Sequence, residues 1–149
     1  MTQKVGLIKR NAGKGAFQGT IPIAGHDDVY PIFAFTHTEI AGKNNIFSFQ
    51  DGRIKAKEYG ALFEFLKNMS QKIWREIKSN RFWHMHEVVW GDTTMSNKKL
   101  PQIFLDNPVW QFKAGEERRI VGFFRNDNVF EIVWLDYDHT IYKDKKFNK

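Results

Sequence analysis

Cysteine is absent from the sequence. That excludes disulfides, cysteine-based metal sites and thiol nucleophiles, and it fits a reducing cytosol. No apolar run approaches the ~18 residues that span a bilayer, so no membrane partner is expected. The opening stretch MTQKVGLIKRNAGKGAF lacks the apolar core of a secretory signal. There is no internal repeat, no low-complexity linker and no G-x-S-x-G. NAGKGAFQG (residues 11–19) is glycine-rich but lacks the GK[ST] ending and the following helix of a phosphate loop.

What is present suits a single domain of 149 residues, long enough to bury a core. Phenylalanine and tryptophan are abundant, at 14 and 5, so the core should be aromatic. Lysine and arginine total 23 against 17 acidic residues, a net charge of +6. A basic, aromatic-rich domain is a candidate for nucleic-acid contact.

Along the chain, Lys4–Arg10, TIPIAG and VYPIFAFTHTEI read as strands, and IFSFQ as another after the turn GKNN. Residues 1–50 are therefore expected to form a β-meander. From 55 to 79 the period becomes helical. Tyr59, Leu62, Phe63, Leu66, Met69, Ile73 and Ile77 share one stripe, which predicts a single long helix ending at Asn80. RFWHMHEVVW reads as extended, GDTTMSNKKLPQ as a loop, and Val109–Lys113 as a short strand within C-terminal strands over 82–142. KDKKFNK (143–149) is a basic tail. The expected fold is α+β: a mostly antiparallel sheet with one long amphipathic helix packed on it.

RRIVGFFRNDNVFEIVWLDYD reads as a β-hairpin with its turn at Arg125–Asn128. That turn pairs Phe124 with Val129, and Arg119 with Trp134. Both faces are apolar, so the hairpin should be central and covered. Arg119 then stands on an apolar face, where an unpaired charge is costly. It is either paired with Asp136 and stacked on Trp134, or it sits at a groove rim aimed at a phosphate.

His84 and His86, if extended, point to one side and could ligate a metal with His37, Asp92 or Asp136. No partner spacing singles that out, and no metal or other cofactor is expected. Asp136 and Asp138 with Glu131 make an alternative carboxylate set, in basic surroundings. His139 is a candidate acid–base group or a turn histidine bonded locally.

KAGEERRIVGFFRNDNVFEIVWLDYDHTIY, Lys113 to Tyr142, resembles the RelE-like toxins with their HigB-type and ParE-type relatives. The likeness covers about the last 30 residues, and the first 50 match nothing in that family. It implies a helical segment packed on an antiparallel sheet, and an activity that cuts mRNA on the ribosome until an acidic antitoxin covers the site. On this alignment Arg119 takes the place of the strand arginine, His139 that of a late basic residue or histidine, and Tyr142 that of the C-terminal tyrosine.

Metal-free RNA cleavage uses the 2′-hydroxyl as nucleophile on the adjacent phosphate. Such a site needs a base, an acid and cations on the phosphate oxygens. His139 would supply acid–base chemistry, with His86 as the second such group. Arg119 would hold phosphate, with Lys113 or Arg118 beside it, and Tyr142 would donate a proton or stack on a base. Lys9, Arg10, Lys14 and Lys143 would contact the nucleic-acid backbone. The expected protein is a cytoplasmic endoribonuclease whose partners are RNA and an acidic antitoxin. The alternative is a noncatalytic nucleic-acid-binding or protein-interaction module, such as a phage or mobile-element accessory protein.

Overall fold

The computed structural model describes residues 26–40, 48–50, 52–126 and 128–142. The strands expected at Lys4–Arg10 and TIPIAG lie outside these residues, as do Lys9, Arg10, Lys14 and Lys143. Within the described part of 1–50 there is one two-residue strand, β1 (Phe33–Ala34). Ser48 to Gln50 is not a strand, although Phe49 N–H donates to Glu39 O at 3.2 Å and Gln50 N–H to Ile40 O at 2.9 Å.

The helical stretch is in two pieces, α1 (Ala56–Met69) and α2 (Trp74–Ser79), rather than one. Each piece is closed at its start by a glutamate: Glu58 accepts from Lys55 N–H at 3.0 Å and Glu76 from Ile73 N–H at 3.3 Å. The break follows from Trp74. Its backbone N–H donates to Val29 O at 3.0 Å, and its indole is fully buried. The ring sits edge-on to Phe124 at 4.9 Å and to Phe33 at 6.0 Å. A straight helix on the predicted stripe would leave this large apolar surface in water. Redirecting the chain at Ser70–Ile73 buries Met69, Trp74 and Ile77 together, whereas Phe63, expected in the stripe, is 67% exposed.

The remaining elements are β2 (His86–Glu87), the short α3 (Gln102–Leu105), β3 (Val109–Lys113), β4 (Arg119–Phe124) and β5 (Phe130–Asp136). The sheet order is β1-β5-β4-β3-β2. β1 runs parallel to β5 and the other pairs are antiparallel, so the sheet is mixed. The class is α+β, as expected, and β3 has the predicted bounds.

β4 and β5 are buried on both faces. Phe112, Ile120, Phe130, Ile132 and Leu135 pack beneath α1 and α2. Val109, Val121, Phe123, Val133 and Trp134 pack on the other face, with Phe104 and Ile141.

The hairpin register differs from the expected one. Phe124 pairs with Phe130, because the turn closes between Arg125 N–H and Val129 O (2.8 Å) with Asn128 left-handed at φ 69°. A bulge at Val121/Gly122 shifts the pairing again, setting Val121 opposite Trp134 and Arg119 opposite Asp136. Ile132 and Phe130 consequently join the helix-covered face instead of the face of Arg119. The bulge needs glycine, since a Cβ on Gly122 would lie 1.8 Å from Glu131 O.

Gly122→Ala should therefore lower stability by about 3 kcal/mol in urea titrations, because the obstructing atom is backbone. Gly60→Ala, at an open helical position, should raise it by about 0.5–1 kcal/mol.

Candidate functional site

After β5 the chain continues as a six-residue strap, 137–142, which runs from Tyr137 on the helix side to Ile141 and Tyr142 on the opposite face. The elements around it hold nearly all of the strap. Tyr137 Oη donates to Glu58 at 3.0 Å, and Asp138 pairs with Arg53. Asp136 accepts at 2.8 Å from Thr140 N–H, at 2.9 Å from Thr140 Oγ1 and at 2.9 Å from Ile141 N–H. Thr94 N–H and Oγ1 each donate at 2.9 Å, to Ile141 O and Thr140 O respectively. Ile141 is fully buried, and Tyr142 Oη accepts from Val89 N–H at 2.8 Å. His139 is the exception. It is half-buried, sits at φ 57°, and its ring has no hydrogen-bond or ion-pair partner among the described residues.

The facing arm is the segment before and through β2. Trp83 and Met85 are buried. His84 between them takes φ 46°, so the run is not simply extended. Even so, the rings of His84 and His86 lie 5.3 Å apart, and His86 lies 5.2 Å from the Tyr142 ring. His86 is held at both nitrogens. Nδ1 is 3.0 Å from Glu87 O, and Nε2 is 3.2 Å from the amide nitrogen of fully buried Gln111. With the proton on Nδ1, both contacts are satisfied. The His84 ring is exposed and unbonded among the described residues.

Arg119 lies at the end of β4 between these two segments and is 7% exposed. Its Nη1 donates to Arg118 O at 2.9 Å and Glu116 O at 3.1 Å, while its buried Nε has no acceptor among the described residues. Of the two alternatives for Arg119, the ion pair with Asp136 does not form, because the Asp136 carboxylate is already occupied by the strap. Nor does its guanidinium stack on Trp134; the described cation–π contacts involve Arg53 and Lys78.

The electrostatics follow from burial. Burial pulls His139 below its ordinary value, and the Arg119 charge adds to this; Asp136 and Glu117 oppose it. His84 is also lowered, first by burial and then by His86, Arg119 and Lys113. Burial lowers Arg119 as well, against Glu117, Asp136 and Glu116, yet a guanidinium stays charged in proteins. Burial raises Tyr142. Its hydroxyl oxygen accepts from Val89, leaving the O–H proton free to donate.

Four residues singled out in the sequence, His86, Arg119, His139 and Tyr142, thus meet at one end of one face, with Lys113 near His84. Arg118 does not join them. It points to the helix side, where Nη1 pairs with Glu58 at 3.1 Å and Nε donates to Ala114 O at 3.3 Å. His84, marked in the sequence only through its alternation with His86, lies with the four as well. Among the described residues no three His, Asp or Glu side chains are placed to hold a metal ion, and no helix is long and apolar enough to cross a membrane.

The fold and this corner define an α+β domain with a histidine–arginine cluster where a strap crosses the sheet. Residues 48–149 match the family described as Uncharacterised protein UU032, and the chain belongs to that family. No curated protein and no solved structure matches the chain.

The lowered histidines make stability fall in acid. Their unfolded value is near 6.5 and their folded values lie below it. The contribution is fully present above about pH 6.5 and is lost as pH falls through the folded values. The urea midpoint should therefore drop between pH 7.5 and pH 5, and a His84→Gln/His139→Gln chain should drop less.

Proposed function

We propose that the protein is a small basic endoribonuclease of the RelE-like toxin type, acting in the cytoplasm on mRNA and silenced by an acidic antitoxin. The observation that carries this reading is His139. Among the described residues it is the one strap residue left without a hydrogen-bond or ion-pair partner, and it stands in the field of a buried arginine with an unfilled donor. Strained, unbonded polar groups gathered in one place are characteristic of sites.

Cleavage needs no metal in this scheme. A histidine takes the 2′-hydroxyl proton as the 2′-oxygen bonds to phosphorus. The bond from phosphorus to the 5′-oxygen breaks, and a second group returns a proton to that oxygen. A 2′,3′-cyclic phosphate and a 5′-hydroxyl result. Histidines that stay neutral at pH 7 suit the base role. His139 is that base, and Tyr142, whose hydroxyl hydrogen is not used in accepting from Val89, returns the proton to the 5′-oxygen, while His84 lines the site as a neutral ring. Arg119 and Lys113 hold the phosphate oxygens. Lys9, Arg10, Lys14 and Lys143 contact the RNA backbone.

A second reading is a noncatalytic nucleic-acid-binding or protein-interaction module. Arg75, Lys78 and Arg118 are each paired with a carboxylate, which breaks up the positive charge of that surface.

Induced expression separates the two readings. The wild-type chain should arrest growth and yield RNA fragments ending in cyclic phosphate. At matched soluble levels, His139→Ala and Arg119→Ala should relieve the arrest and slow cleavage by about 10²–10³-fold. Unimpaired growth with intact RNA would set this reading aside in favour of the module.

A further inference from the structure

We infer that Asp136, acting with Thr140, is a positioning residue: its carboxylate builds the turn that presents His139 towards Arg119. The assignment rests on the reading of His139 as an acid–base group. Asp136 is 1% exposed, at the last position of β5 and opposite Arg119 in register. A buried carboxylate so placed would be expected to pair with that arginine. Instead it spends both oxygens on the strap: Oδ1 accepts from Thr140 N–H and Oγ1, and Oδ2 from Ile141 N–H.

These three bonds close a loop of four residues around His139. They define the reversal in which His139 takes a left-handed conformation, which costs free energy for a residue with a Cβ. The same bonds leave Arg119 without a carboxylate partner, so its buried Nε stays open. One side chain therefore both orients the histidine and keeps the arginine available to a ligand. The charged groups in electrostatic reach of His139 are Arg119, Asp136, Glu117 and His84.

The test is made on the full chain by NMR, without substrate. In Asp136→Asn one hydrogen-bond acceptor becomes a donor facing Ile141 N–H. Exchange of the Thr140 and Ile141 amides should speed up by about tenfold or more, the effect of losing one bond to a charged acceptor. The His139 titration midpoint should fall, because a neighbouring anion is gone. Thr140→Val removes only the hydroxyl bond, so the midpoint should hold while amide exchange rises less. Unchanged amide exchange and an unchanged His139 midpoint in Asp136→Asn would overturn the assignment. If Asp136→Asn does not fold, unaltered exchange at Thr140 and Ile141 in Thr140→Val would overturn it. A cleavage assay on the same variants separates the two ideas. Altered His139 titration in a chain that never cuts RNA leaves the positioning intact and removes the function. Slower cleavage at unchanged RNA affinity supports both.

Discussion

The pairing of β4 with β5 is the constraint from which the rest of the molecule follows. Both strands are buried on two faces, so every polar residue on them must find a partner inside the protein. Three meet that demand differently. Glu131 is fully buried and draws Arg125 to 3.2 Å and His37 to 3.6 Å, which ties the hairpin turn to the chain after β1. Asp136 gathers the strap. Arg119 takes only backbone carbonyls and leaves one donor open. The position of the candidate site is thus a consequence of how buried polar groups are satisfied at one end of the pair.

The bulge at Val121/Gly122 couples this pairing to the two cores. By inserting one residue into β5 it places Val133 and Trp134 together on one face and Ile132 and Leu135 on the other. The helix-covered side collects an aromatic cluster of Phe33, Trp74, Phe112, Phe124 and Phe130. On that side an apolar pocket of about 300 Å³ lies between α1 and the sheet. It shares no residue with the histidine cluster.

Much of the strand framework was legible in advance. Short apolar runs marked β3 and the hairpin, whose turn residues separate two continuous apolar strands, the pattern of strands covered on both faces. Arg119, His86, His139 and Tyr142 stood out as polar residues at the margins of apolar runs, and they do meet. The helix was less legible. A hydrophobic stripe continues unbroken across Ser70–Ile73, and nothing in its period says that Trp74 must turn inward. The register difference has a similar source: turn residues announce a reversal at Arg125–Asn128, but the length of the loop and the bulge depend on which residues pack beneath it. Arg118 and Arg119 are adjacent and chemically identical, and only the alternation of the strand sends one to Glu58 and the other to the histidines.

By itself the sequence determined that this is an α+β domain without thiol chemistry, with a covered C-terminal hairpin and a cluster of polar residues at its end. Local patterning suffices for these, since period, turn residues and composition act over a few neighbours. Only the tertiary structure decided that Asp136 serves the strap and not Arg119, that His86 is held while His84 and His139 are unbonded among the described residues, and that the helix breaks to bury Trp74. Each of those is a competition among groups distant in the chain for one partner or one volume, and its outcome is set by which of them the fold brings within reach.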